Sequence, residues 1–237
     1  MTRLDRFISY LQEQCNNRSI YVWGAQGQAA CAITESFIKS REKSATNAGR
    51  AIAYWKKQMA AGYGDVLRAF DCSGLGMYWL QNTMGLYKSD MSADGMMGTC
   101  TKISRDGLRR GDWVFRVNGK GKATHIGYVA DDALHVIEAK GRDDGVVKRA
   151  LTDNGKTYWN AYGRPAIFAG DPNGQAASAC PPTVLKLTSP PMRGSAVEEL
   201  QTALTHLGYP CGAIDGICGE KTIRGIAAFI KAHGYAV

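Results

Sequence analysis

The sequence predicts an α+β fold joined to a small three-helix module. Three observations carry this reading: apolar residues recur at helical spacing over residues 2–82, the period falls to two between residues 112 and 149, and residues 170–182 are rich in Gly, Pro, Asn, Ala and Ser. Helices followed by a sheet around one core give the α+β class. The 237 residues suffice for one substantial core and an appended unit. The expected organisation is a larger domain over 1–170, a linker over 171–182 and a small domain over 183–237.

Within residues 2–16, Leu4, Phe7, Ile8, Leu11 and Cys15 form one stripe among Arg, Asp, Gln and Glu, the pattern of an amphipathic helix. Ile20-Tyr21-Val22-Trp23 is a short β-rich run that stops at Gly24, and it reads as a strand or an extended entry into a turn. Helices are expected over 33–43 and 47–60. The second takes Asn47 as its cap and Ala51, Ile52, Tyr54, Trp55 and Met59 as its apolar face, with Gly62 and Gly64 ending it. Residues 73–82 read as a buried helix that begins directly at Asp71-Cys72-Ser73. Four short runs follow, 112–117, 125–130, 134–139 and 145–149, separated by Gly, Asn or Asp turns. They predict an antiparallel meander. Beyond the linker come Val184-Leu185-Lys186-Leu187 and two helical patterns, one through Val197, Leu200, Leu204 and Leu207, the other through Ile223, Ile226, Ala227 and Ile230. A unit of this size is near the lower limit for independent folding, which three short helices can meet.

Composition narrows the function classes. Hydrophobic residues at 45% and charged residues at 21% exclude a disordered or collagen-like chain. The net charge of +8 favours a polyanionic partner, whether nucleic acid, anionic lipid or bacterial wall, and charge alone does not choose among them. Residues 183–237 hold five Lys/Arg against four Asp/Glu, so the basicity belongs almost entirely to the larger domain. No run approaches the roughly 18 apolar residues of a membrane helix, so no membrane insertion is expected. Arg3, Asp5, Arg6 and Glu13 stand where a signal peptide needs its apolar centre, and the N-terminus reads as that of a protein made in the cytoplasm without one. Seven cysteines (15, 31, 72, 100, 180, 211 and 218) with no CxxC pair argue against both a disulfide framework and a zinc ribbon. Cys211 and Cys218 flank a glycine-rich loop and could bridge if oxidised, but reduced thiols are expected.

Cys72 is the most informative position. It stands at the start of an apolar helix, where free N–H groups and the helix dipole favour negative charge. Phe70-Asp71-Cys72-Ser73-Gly74 joins an acid, a thiol, a small hydroxyl and a glycine at a junction suited to presenting a nucleophile. Peptide cleavage by a thiolate needs a base that later protonates the leaving amine, the work of a histidine near neutral pH. His125 and His135 are the candidates in the larger domain. Strand alternation puts His135 and Glu138 on opposite faces, whereas Glu138, in the run after His125, is close enough to accept a hydrogen bond from its second ring nitrogen. Cys72, His125 and Glu138 are therefore the expected catalytic set.

Four ordered segments, Tyr21-Val22-Trp23-Gly24, Phe70-Asp71-Cys72-Ser73-Gly74-Leu75, Gly111-Asp112-Trp113-Val114 and His125-Ile126-Gly127-Tyr128, resemble the motifs of the NlpC-type cell-wall cysteine peptidases over about residues 4–168. The resemblance implies a papain-like α+β fold, with a helix-borne Cys facing a sheet-borne His, and hydrolysis of peptidoglycan stem peptides, often next to D-glutamate. It further implies that Tyr21 binds the carbonyl oxygen or substrate and that Asp71 and Ser73 line the substrate cleft. Two departures stand out. Glu138-Ala139 occupies the place where the family frequently has His before Ala, and residues 28–69 form a helical insertion, expected to cap or narrow the cleft.

The small domain resembles the three-helix peptidoglycan-binding domains, on Gly194, Val197, Leu200-Gln201, Leu204, Gly208-Tyr209, Asp215-Gly216, Gly219, Thr222 and Phe229. Val197, Leu200, Leu204 and Phe229 are expected in its core, and the turn with Asp215, Gly216 and Gly219 is expected to face the wall. Cys218 and Ile230 stand where relatives commonly have Phe and Gln. Together these readings predict a monomeric cysteine endopeptidase that needs no metal or organic cofactor, binds bacterial peptidoglycan rather than nucleic acid, and acts as a phage-type lysin. A muramoyl-L-alanine amidase using the same residues, and a non-catalytic wall-binding protein, are the alternatives.

Overall fold

The computed structural model of the chain describes residues 2–168 and 191–232. The expected linker over 171–182, Cys180 and the run at 184–187 lie outside the described residues. Two compact units, 1–177 and 178–237, are described separately.

The first unit opens with α1 (Arg3–Asn16), whose Thr2 hydroxyl accepts the Asp5 N–H while the Asp5 carboxylate accepts the Thr2 N–H, a capping box. Leu4, Phe7, Leu11 and Cys15 of the predicted stripe are buried. β1 (Ile20–Tyr21) follows, then β2 (Gln26–Ala29), α2 (Glu35–Arg41), α3 (Ala45–Gln58) and β3 (Arg68–Phe70). The cap of α3 is Ser44, not Asn47: the Ser44 hydroxyl accepts the Asn47 N–H, so Asn47 lies inside the helix. Residues β1, β3 and β2 form a small sheet in which β1 runs parallel to β3 and β2 antiparallel to it. This pairing tolerates the insertion over 28–69, because the chain leaves and returns beside the same strand. Its helices close a core of their own, with Ile33, Ile38, Ala51 and Leu67 packed against Ile20, Val22 and Ala69.

The buried helix α4 (Cys72–Tyr78) is shorter than predicted and continues as a π-helical turn over Trp79–Thr83. After α5 (Ala93–Gly98) comes the main sheet, built from β4 (Cys100–Lys102), β5 (Trp113–Val117), β6 (Ala123–Val129), β7 (His135–Gly141), β8 (Gly145–Ala150) and β11 (Ala161–Pro165). A short hairpin of β9 (Thr152–Asp153) and β10 (Lys156–Thr157) precedes β11. The order is β4-β11-β5-β6-β7-β8, antiparallel throughout. The four predicted strands form its β5-β6-β7-β8 part. Phe7, Phe70, Leu75, Met77, Trp113, Phe115, Ile126, Tyr128 and Ile137 make the principal core between helices and sheet. The fold is α+β, as the period change predicted.

The second unit contains α6 (Ser195–His206) and α7 (Glu220–Ala232). These are the two helices among the described residues; the stretch between Leu207 and Gly219 is a loop, and Ile217 in it bridges to Arg193. Val197 and Leu204 are buried as expected, whereas Leu200 and Phe229 are half-buried. Cys211 and Cys218 are buried in this interior as free thiols, beside Gln201 and Thr222. Among the described residues no helix is long and apolar enough to cross a membrane.

Candidate active site

Asp71 joins β3 to α4 and fixes the local geometry. Its Oδ1 accepts the Gly74 N–H at 2.7 Å and the Ser73 hydroxyl at 3.1 Å, while Oδ2 accepts the Gly24 N–H at 3.1 Å. An N-cap carboxylate satisfies first-turn donors; this one also ties the Gly24 turn to the helix. Burial pushes the Asp71 carboxyl above its usual range, against these hydrogen bonds. Cys72 therefore occupies a defined first-turn position, 9% exposed. Gly74 is required here, because a Cβ would lie 2.2 Å from the Ala25 carbonyl oxygen. From below, the Tyr128 hydroxyl accepts the Gly76 N–H at 3.1 Å and donates to the Cys72 carbonyl at 3.3 Å. One strand residue thus sets the height of the helix against the strand that carries His125.

His125 stands near the start of β6, with Glu138 Oε2 at 2.6 Å from Nε2 and Cys72 near enough to act on the charge of the ring. With Nε2 directed at the carboxylate, Nδ1 is left for the thiol. Burial alone lowers the proton affinity of this ring, but the hydrogen bonds and charges of Cys72 and Glu138 outweigh it and raise the pKa to about 9. Glu138, on β7, is 1% exposed, and a buried carboxylate persists only when paired. Its second oxygen, Oε1, accepts Arg149 Nε at 2.5 Å.

Trp159 stacks on the His125 imidazole, with centroids 5.5 Å apart and planes 8° apart, and Tyr158 meets the same ring edge-on at 5.9 Å. The indole fits because Gly127, two residues along β6 from His125, has no side chain: a Cβ there would approach Trp159 to 2.9 Å.

Tyr21 reaches the site through β1. Parallel pairing sets Tyr21 opposite Phe70, two residues before Cys72. Burial, with the nearby Cys72 and Asp71, pushes its phenol pKa up. The Arg142 guanidinium lies 5.1 Å from the ring centroid and is held by Glu42 of the insertion, Nη2 at 2.6 Å and Nε at 2.8 Å from Oε2. The other Glu42 oxygen accepts the Trp23 N–H at 3.0 Å. The insertion thereby supports the Tyr21 side of the site through one buried carboxylate.

Cys72, His125, Glu138, Tyr21, Asp71 and Ser73 are thus gathered together, although both Asp71 oxygens are engaged in capping and the Ser73 hydroxyl is turned to Asp71. His135 is apart, paired with Asp131 at 2.9 Å. Sequence reasoning missed Arg149, Trp159, Arg142 and Glu42. Gly127 inside a strand was a legible sign of a close neighbour, and alternation along β8 sets Arg149 diagonal to Glu138, whose direct partner is Val147. Among the described residues no group of three or more His, Cys, Asp or Glu could hold a metal ion.

In the second unit the turn at 215–217 is organised by Gln201. Its Oε1 accepts the N–H of Asp215 at 3.0 Å and of Gly216 at 2.9 Å, while Nε2 donates to Asp215 Oδ1, the Ile217 carbonyl and the Thr222 hydroxyl. Gly219 precedes α7, its carbonyl accepting the Ile223 N–H.

The NlpC/P60 family model matches residues 19–163, more than half of the chain, and contains all four motifs and the whole array around Cys72. The chain belongs to the NlpC/P60 family. The model of the peptidoglycan-binding domain matches residues 193–237. Similar solved structures include the P60 domain of an antigen from Mycobacterium avium subspecies paratuberculosis, 17% identical over 68% of this chain and 96% of that one, with a TM-score of 0.38. RipB, a peptidoglycan hydrolase from Mycobacterium tuberculosis, is 17% identical over 69% of this chain and 68% of its own, TM-score 0.40. RipD from the same organism, a non-catalytic NlpC/p60 domain protein adapted to peptidoglycan binding, is 18% identical over 69% of this chain and 98% of its own, TM-score 0.42. No curated protein matches the chain. As an NlpC/P60 protein with a peptidoglycan-binding domain, the chain is peptidoglycan-associated.

Proposed function

We propose that this NlpC/P60 chain is a cysteine endopeptidase that hydrolyses an amide bond in the peptidoglycan stem peptide, next to D-glutamate, and acts on the wall as a lysin. The observation that carries the reading is His125 bonded through Nε2 to the buried Glu138 carboxylate, with Cys72, the first residue of α4, near enough to raise the imidazole pKa. RipB is a hydrolase and RipD is not, so family membership leaves the activity to this array.

In this reading the Cys72 thiolate attacks the amide carbonyl carbon, and the Cys72 N–H and the Tyr21 hydroxyl receive the oxyanion. The C–N bond breaks as the His125 proton passes to the leaving amine, which leaves a thioester. Water gives a proton to neutral His125 and adds to the thioester; the acid departs and the thiolate–imidazolium pair returns. Glu138 keeps the ring oriented throughout. No step calls on a metal or organic cofactor. The net charge of +8 favours accumulation at a polyanionic wall, and the domain over 183–237, with Asp215, Gly216 and Gly219 at its turn, is assigned to wall retention.

Mass spectrometry of digests of diaminopimelate-type and lysine-type walls tests the bond. Stem peptides cut beside D-glutamate are expected. Intact stem peptides freed from muramic acid would make the chain an amidase instead, and an absence of new amines would make it a binding protein.

A further inference from the structure

Glu138 is buried and bonded on both oxygens, to His125 on one side and Arg149 on the other. Two features make Arg149 more than a stray surface cation. Its guanidinium lies 5.8 Å from the Trp159 ring, the indole stacked on His125, and 5.8 Å from Tyr158, which meets His125 edge-on. It is also anchored across strands, on β8 and diagonal to Glu138 on β7, so its reach is fixed by sheet register.

We infer that Arg149 is a positioning residue for the Cys72–His125 pair: it keeps Glu138 aimed at Nε2, and its charge sets the pH window in which thiolate and imidazolium coexist. The inference rests on the catalytic reading of Cys72 and His125 given above. The physical ground is charge balance. A buried thiolate, imidazolium and carboxylate carry a net charge of about −1, which a low-dielectric site resists; Arg149 brings the cluster to neutrality. Removing that charge raises the proton affinity of every remaining member, so both limbs of the pH profile move up together.

Other charges face the array and remain in every variant. Asp71 precedes Cys72 on the helix side, and Tyr128 lies beneath on β6. Tyr21 adjoins Cys72 from β1, with Arg142 over its ring and Glu42 behind. Arg116 of β5 lies 5.3 Å from the Tyr158 ring on the His125 side. None of these bonds to Glu138; among the described residues Arg149 is the cation that bonds to the carboxylate besides the His125 ring itself.

The test is the rate of Cys72 alkylation by iodoacetamide from pH 5 to pH 10, read by peptide mass spectrometry so that the other thiols do not interfere. Thermal transitions of each variant are measured in parallel. The readout reports the thiolate–imidazolium pair without needing turnover, so failure of this inference is distinct from failure of the peptidase assignment, which digestion of walls decides. Arg149→Met and Arg149→Gln are expected to move the profile upward by about one pH unit, and Arg149→Lys to keep it near the wild-type position. A residue that merely braces the fold would lower the transition temperature and leave the limbs in place. Unmoved limbs in Arg149→Gln, which keeps a donor but no charge, would overturn the inference. So would an equal shift in Arg149→Lys.

Discussion

The imidazole of His125 and the indole of Trp159 lie parallel, 8° between their planes and 5.5 Å between centroids, with Gly127 giving the room. Trp159 is 2% exposed and acts as a wall that restricts the ring to one plane, the plane in which Nε2 meets Glu138. Trp159→Ala should cost about 3–5 kcal/mol of stability. Trp159→Phe should keep the fold and lower kcat more than it raises KM, measured on wall digests. An unchanged kcat in Trp159→Phe would remove the ring from the account.

The charge network predicts a pH-dependent stability. The folded His125 pKa of about 9 lies above the ordinary imidazole value of about 6.5. A raised value means stabilisation fully present below about pH 6.5 and lost as pH rises through about 9, on the order of 3 kcal/mol. All five tryptophans lie in the first unit, so urea unfolding followed by their fluorescence reads it selectively. Glu138→Gln should reduce the dependence, because Glu138 is, with Cys72, one of the two groups that hold the proton.

Gly74 is where helix α4 docks against the turn after Tyr21. A Cβ there meets the Ala25 carbonyl oxygen at 2.2 Å, a backbone atom that cannot swing aside. Gly74→Ala should destabilise the first unit by about 2–3 kcal/mol and slow Cys72 alkylation, because the clash lifts the start of the helix away from His125.

In the second unit Gln201 is 1% exposed and its amide makes five hydrogen bonds. Gln201→Ala leaves buried partners unpaired, at about 1–3 kcal/mol for each group so orphaned. The expected result in the full chain is faster hydrogen exchange at Asp215 and Gly216 and weaker retention on purified walls. Retention unchanged despite faster exchange would detach the turn from wall binding.

Much of this was legible in the sequence. The 3- and 4-residue spacing of Leu4, Phe7 and Leu11 marked α1, and alternation marked β5 to β8, because local periodicity records which face meets the core. Cys72 and His125 were legible because each stands at a junction of unlike residues. The β1–β3 pairing was not, since two- and three-residue strands joined across a long insertion leave no periodic trace. Arg149, Arg142 and Glu42 were hidden for a related reason: their partners are 11, 100 and 19 residues away, and long charged side chains in solvent look the same in sequence. Ser44 rather than Asn47 capped α3 because the helix began one turn earlier than its apolar face.

The central claim is that Cys72 is the nucleophile of an amide hydrolase. Release of new amino groups from purified peptidoglycan, compared between the wild-type chain and Cys72→Ala with equal thermal transitions, tests it most directly. The account predicts steady release by the wild type and none above background by the variant. Release undiminished in Cys72→Ala, or absent from both, would contradict it.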